Sequence, residues 1–146
     1  MPELPEVETT VRGLRPVLED RVLTLVEARR PDLRRAIPAD LRQRLQGARV
    51  TGLGRRAKYG LIHVDRGDTL VFHLGMSGRW RIDPASIEKH DHLVLETDAG
   101  RRLALCDPRR FGSLDLMPTD DLEAWPPFKA LGPEPFGVTG GWLAGV

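Results

Sequence analysis

Eight short apolar and β-branched segments, separated at close intervals by turn signals, constrain this chain more than any other feature. They are VLTLVEAR at 22–29, ARVTGLGR at 48–55, LIHVD at 61–65, TLVFHLG at 69–75, WRID at 80–83, HLVLET at 92–97, RLALCD at 102–107 and SLDLM at 113–117. RGD at 66–68, DPAS at 83–86 and DAG at 98–100 mark turns, and such a series predicts a mainly β chain folded as an antiparallel sandwich or barrel. Two helices flank the strands. Val7, Val11, Leu14 and Leu18 repeat at helical spacing within residues 4–19. Pro2 and Pro5 stand at that helix's start, where missing amides cost nothing, and Glu3, Glu6 and Glu8 suit the positive end of its dipole. Pro16 is expected to kink the last turn. A second, shorter helix is predicted over 38–46, ending before Gly47.

With 146 residues the chain can bury a core without metal or disulfide support. Its single cysteine, Cys106, has no partner for a disulfide and no Cys or His at ligand spacing for a closed zinc site. No apolar run approaches a membrane span, and the acidic start is unlike a signal peptide, so a cytoplasmic monomer with no membrane partner is expected. From residue 118 onward the composition changes to WPP, GPEP and GVTGGWLAGV, which reads as a linker leaving the domain. The sequence stops at Val146 without a capped helix or strand partner, and a fragment or truncated protein is the expectation.

The formal net charge of +1 conceals an asymmetry. Residues 1–112 carry five more Lys and Arg than Asp and Glu, whereas residues 113–146 carry four more acidic than basic residues. Nineteen of the 22 basic residues are Arg, whose planar fork suits phosphate and base edges. By itself this is weak evidence for nucleic acid.

Five short motifs could carry chemistry, and each also has a plain structural reading. Removal of Met1 before a small residue would leave Pro2 with a free secondary amine, a nucleophile beside the carboxylates of Glu3 and Glu6; the same residues could merely begin a helix. Lys58, in RRAKYG, could be an acid, a Schiff-base amine or a phosphate ligand, or part of a solvated hairpin. In HLGMSGR, Gly75 and Gly78 suit a tight turn presenting Met76, which could wedge between bases or belong to the core. His90 and Lys89, in EKHDH, could contact phosphate or simply face solvent. In DPRRFG, Arg109, Arg110 and Phe111 combine charge with an aromatic wedge, as base extrusion requires; alternatively Phe111 is core and Asp107 pairs with an Arg.

PELPEVET, RRAKYG, HLGMSG, EKHDH, DPRRFG and LGPEP, in this order, resemble the formamidopyrimidine-DNA glycosylase family along the whole chain. The PELPEVE start also separates it from the endonuclease VIII group, which typically begins Pro-Glu-Gly-Pro. The resemblance implies a two-sheet antiparallel β-sandwich flanked by helices, with residues 1–117 as the catalytic domain and 118–146 leading toward a helix–two-turn–helix and zinc-finger region absent here. It implies Pro2 as the nucleophile at C1′, Glu3 as acid, Glu6 as support and Lys58 as an aid to catalysis and β-elimination. It implies that Met76, Arg109 and Phe111 fill the gap left by an everted nucleotide, Arg109 facing the orphaned cytosine. His90, Arg109 and Arg110 would contact DNA backbone or bases. The implied partner is damaged double-stranded DNA, and the implied lesions are 8-oxoguanine and formamidopyrimidines, released with strand cleavage. No cofactor is expected in this chain, since the family's zinc site lies beyond it. The competing reading is a truncated module that binds lesions or abasic DNA without turnover.

Overall fold

The computed structural model describes residues 4–131, and the side chains of residues 6–128. Each of the eight expected strands is present: β1 (Leu23–Ala28), β2 (Val50–Arg56), β3 (Tyr59–Val64), β4 (Asp68–His73), β5 (Arg79–Ile82), β6 (Asp91–Thr97), β7 (Arg102–Cys106) and β8 (Ser113–Pro118). They form two antiparallel four-stranded sheets, ordered β1-β6-β7-β5 and β2-β3-β4-β8. Helix α1 (Leu4–Leu18) buries Val7, Val11, Leu14, Val17 and Leu18, the apolar stripe of the sequence plus one residue. The helix contains Pro16 and continues to Leu18, and Glu19 N still donates to Arg15 O at 2.9 Å. The second helix, α2 (Leu41–Leu45), is shorter than the expected 38–46 and packs on β1 through buried Leu41 and Leu45.

The main core lies between the sheets. Val26, Leu93, Leu95, Leu103 and Leu105 from one sheet meet Leu53, Ile62, Leu70, Phe72 and Leu114 from the other, with α1 closing against them. Gly60 opposes Phe72 across β3 and β4, and a Cβ there would lie 2.0 Å from the Phe72 ring. Only glycine lets that ring cross the strand.

All six β4 residues are buried, so the second sheet is covered on both faces. The cover corrects the expectation that the packed body ends at 117. Residues Thr119–Ala124 form a 3₁₀ turn and Pro126–Leu131 a helix, α3, and Leu122 and Phe128 pack with Leu61, Val71 and Met117. Arg56, 2% exposed, pairs with Glu123 and lies 5.4 Å from the Phe128 ring. Residues 118–131 are rich in proline and acidic residues, but a few large apolar side chains hold the segment to the sheet. Residues 132–146, with the rest of the expected linker, lie outside the described residues.

His63 lies on this covered face, its Nδ1 2.8 Å from Thr69 Oγ1, and burial pushes its pKa down from 6.5 to about 4. Between these values the unfolded chain binds a proton that the folded chain refuses, so acidification favours unfolding. Stability is therefore expected to fall by about 2–3 kcal/mol between pH 7 and 4.5 through this group. Denaturant titrations at both pH values should show a smaller loss for His63→Gln; equal losses would contradict the assignment. Among the described residues, no helix is long and apolar enough to cross a membrane.

Candidate functional site

Four connections converge at one end of the sandwich: the β2–β3 turn at Ala57–Lys58, the β4–β5 loop at Leu74–Gly78, the segment before β6 with His90, and the β7–β8 loop at Asp107–Gly112. Helix α1 also points toward this end. Arg15 Nη2 donates to Leu53 O at 2.9 Å, and Glu8, two turns nearer the helix start, lies 3.9 Å from Arg55. Thus α1 runs antiparallel to β2, and its beginning lies toward the Lys58 turn. Glu6 is exposed in its first turn, whereas Pro2 and Glu3 lie outside the described residues.

One buried carboxylate fixes the two long loops. Asp107, 1% exposed, accepts from Ser77 Oγ at 2.8 Å and Arg110 N at 3.1 Å through Oδ1, and from Gly112 N at 2.9 Å through Oδ2. The Ser77 hydroxyl in turn accepts from Arg109 N at 3.2 Å. Backbone conformation completes the lock. Gly75 has φ +61°, and a Cβ there would meet the Phe111 carbonyl carbon at 2.5 Å, so the loops touch backbone to backbone. Arg110, at φ 57°, is held left-handed beside the carboxylate.

What these loops present is apolar and cationic together. Met76 is 54% exposed and Phe111 43%, and the Arg109 guanidinium lies 4.9 Å from the Phe111 ring centroid. Exposed large apolar side chains on tightly tied loops are unfavourable for an isolated molecule and suit insertion into a partner. The core reading of Met76 and Phe111 is thereby set aside, and Asp107 binds backbone amides and a hydroxyl rather than an arginine side chain.

Behind the tips lie histidines held neutral. His73 Nδ1 accepts from Gly75 N at 3.0 Å, and burial, reinforced by Arg34, Lys58 and Arg35, lowers its pKa. His92 donates through Nε2 to Asp107 O at 2.9 Å, and burial lowers its pKa too. His90 is half-buried, its carbonyl accepts from Asp107 N at 3.0 Å, and its ring lies 6.1 Å from that of His92. Lys58 is half-buried in the turn following Ala57, whose φ is 52°. A groove of roughly 380 Å³ lined by Arg34, His73, Gly75, Met76 and Phe111 runs between the loops.

The structure thus brings together Lys58, Met76, His90, Arg109, Arg110 and Phe111. Sequence reasoning missed Ser77, His73 and Arg34, and underrated Asp107. His73 stood in the HLGMSGR motif, but nothing in the spacing shows that its ring accepts the next loop's amide. Among the described residues no group of three or more His, Cys, Asp or Glu could hold a metal ion. Cys106 is buried, and burial and then Asp91 push its thiol pKa up.

Fold and site define a two-sheet antiparallel sandwich with a cationic, wedge-bearing loop end toward which the first turn of α1 is directed. The sequence model of the formamidopyrimidine-DNA glycosylase N-terminal domain matches residues 1–114, and the chain belongs to the formamidopyrimidine-DNA glycosylase family. It is 74% identical over its full length to the formamidopyrimidine-DNA glycosylase of Rhizorhabdus wittichii, covering 55% of that protein, and 71% identical over 94% of its length to that of Novosphingobium aromaticivorans, covering 51%. It therefore spans about half the length of these curated relatives. Among solved structures it matches Lactococcus lactis Fpg in complex with DNA containing an abasic site, with TM-score 0.82 and 34% identity over 92% of this chain and 50% of that one. The same protein with DNA containing FAPY-dG matches with TM-score 0.81 and 34% identity, covering 91% and 51%.

Proposed function

We propose that this chain is the catalytic amino-terminal part of a cytoplasmic base-excision glycosylase with lyase activity, removing oxidised purines from duplex DNA through a Schiff base on Pro2. The observation that carries the reading is the rigid pairing of exposed Met76 with the Arg109–Phe111 stack on one buried carboxylate, beside Lys58. A base is shielded within the stack, so excision chemistry at C1′ needs the nucleotide extruded and the gap filled. Two apolar side chains and a guanidinium on a fixed frame supply that filling. The Lactococcus relatives were solved with DNA containing an abasic site and with DNA containing FAPY-dG, which supports damaged duplex as the partner.

In this reading the Pro2 nitrogen attacks C1′, the C1′–N bond breaks, and the base departs with a proton supplied by the site, Glu3 being the nearest acid in sequence. A secondary amine then gives a positively charged iminium once the ring C–O bond opens. That charge acidifies the C2′ proton, whose removal expels the 3′ phosphate by β-elimination; a second elimination expels the 5′ phosphate. Glu6, exposed in the first turn of α1, and Lys58 are the nearby groups able to carry charge or a proton.

The test is incision of a duplex carrying 8-oxoguanine opposite cytosine, read together with binding. Base release with strand cleavage is the expected result from a protein of its relatives' full length, and impaired release from these 146 residues alone; binding without either by both would support the non-catalytic module and contradict the proposal. Lys58→Ala is expected to slow base release by about 10²-fold or more, the scale of an acid–base contribution, while changing affinity for an abasic analogue far less. Equal losses in both measurements would make Lys58 a phosphate contact.

A further inference from the structure

The loop between β1 and α2 holds four arginines of different fate, of which Arg29 donates to Glu88 O at 2.9 Å and Asp91 O at 3.1 Å. Arg30 is committed to Asp32, with Nη2 2.8 Å from Oδ1, and Arg35 pairs with Asp115. Arg34, between them, is exposed, and no ion pair or side-chain hydrogen bond to it is found among the described residues. Its backbone is nevertheless pinned. Arg34 N donates to Gly112 O at 3.1 Å, fastening this residue to the loop that carries Phe111. Arg34 lines the groove of roughly 380 Å³ with His73, Gly75, Met76 and Phe111. After burial, Arg34 is the largest influence lowering the His73 pKa.

An uncompensated guanidinium, fixed by its own backbone at the mouth of a groove between two wedge side chains, has the chemistry of an anion ligand. We propose that Arg34 is a further DNA-binding residue that grips a backbone phosphodiester beside the wedge. This rests on the reading of the site as a DNA interface. Its neighbours cannot substitute: Arg30 and Arg35 already spend their forks on carboxylates, and Arg109 lies against Phe111. Phosphate contacts position a duplex without reading its sequence. Arg34 therefore sets the register of the wedge relative to the strand, and no base preference follows from it.

The experiment measures binding of the full chain to a duplex with a tetrahydrofuran abasic analogue over a range of KCl concentrations. Arg34→Gln retains the amide that bonds Gly112, so the loop stays in place. Losing one phosphate contact should lower the slope of log K against log salt by about 0.9 and weaken binding about tenfold at low salt. Arg34→Lys should keep the slope, and Arg30→Gln should leave it as in the parent. Adduct formation with abasic duplex at saturating DNA, trapped by borohydride, should stay within about twofold of the parent for Arg34→Gln, because the residue positions rather than reacts. An unchanged slope for Arg34→Gln, or an equal loss in trapping at saturation, would overturn the proposal. A parent that binds duplex with a salt slope but forms no adduct contradicts the catalytic function and still leaves the Arg34 slope to be read; a parent that binds no duplex overturns both.

Discussion

Protein that retains Met1, or carries any residue before Pro2, should form no borohydride-stable adduct with abasic DNA, a loss of the whole signal rather than a fraction of it. The reason is electronic. A free prolyl nitrogen has an available lone pair and titrates near pH ~8, whereas the same nitrogen in a peptide bond shares that pair with a carbonyl. DNA binding should survive, because Met76, His90, Arg109 and Phe111 are carried on other loops and do not depend on the terminus. Mass spectrometry of the intact protein establishes which form is present. Undiminished adduct from protein that fully retains Met1 would show that another amine reacts.

The second large effect is expected at Asp107. Its carboxylate accepts three hydrogen bonds that tie Ser77 to the Arg110 and Gly112 amides while it is almost completely buried. Asp107→Ala would leave the Gly112 amide and the Ser77 hydroxyl without their acceptor, while Arg110 N keeps the Asp107 backbone carbonyl at 3.2 Å, and at typical desolvation costs this removes on the order of 3 kcal/mol of stability. Function should suffer further. Both wedge loops hang on this group, so affinity for a duplex with an abasic analogue is expected to fall by about 10²-fold. Asp107→Asn retains an acceptor but turns an N–H toward one of the amide donors, and it should lie between the two. A folded Asp107→Ala protein with parental affinity would contradict the role given to this carboxylate.

The fold was legible where side-chain alternation and turn chemistry agree. The eight strands fall within a few residues of their sequence segments, and Val7, Val11, Leu14 and Leu18 are the buried stripe of α1. The cover over the second sheet was not. LIHVD and TLVFHLG are apolar on both faces, which is the mark of strands buried on both sides, but the covering partners Leu122 and Phe128 are isolated among prolines and acidic residues and show no period. Arg56 illustrates the same limit. In sequence it is one of a basic pair, and only the fold sends it inward to Glu123 and the Phe128 ring.

The site divides in a similar way. Met76, Arg109 and Phe111 could be named because HLGMSG and DPRRFG resemble the family's motifs, whereas residue type alone left Met76 and Phe111 open between wedge and core. Residues that act by holding others were hidden: Asp107 and Ser77 matter through hydrogen bonds between segments about 30 positions apart, a separation that motif spacing does not encode. Arg34 was hidden for the opposite reason, since its distinction from Arg30 and Arg35 lies in the absence of a carboxylate partner among the described residues.

The most direct test of the account is the location of the covalent bond. Protein incubated with duplex containing an abasic site is reduced with borohydride, digested with trypsin and nuclease, and its peptides are mapped by mass spectrometry. The account predicts the sugar remnant on the α-nitrogen of Pro2, in the peptide PELPEVETTVR spanning residues 2–12. A remnant on Lys58, in the peptide that continues to Arg66, or no remnant on any peptide of a DNA-binding protein, would contradict it.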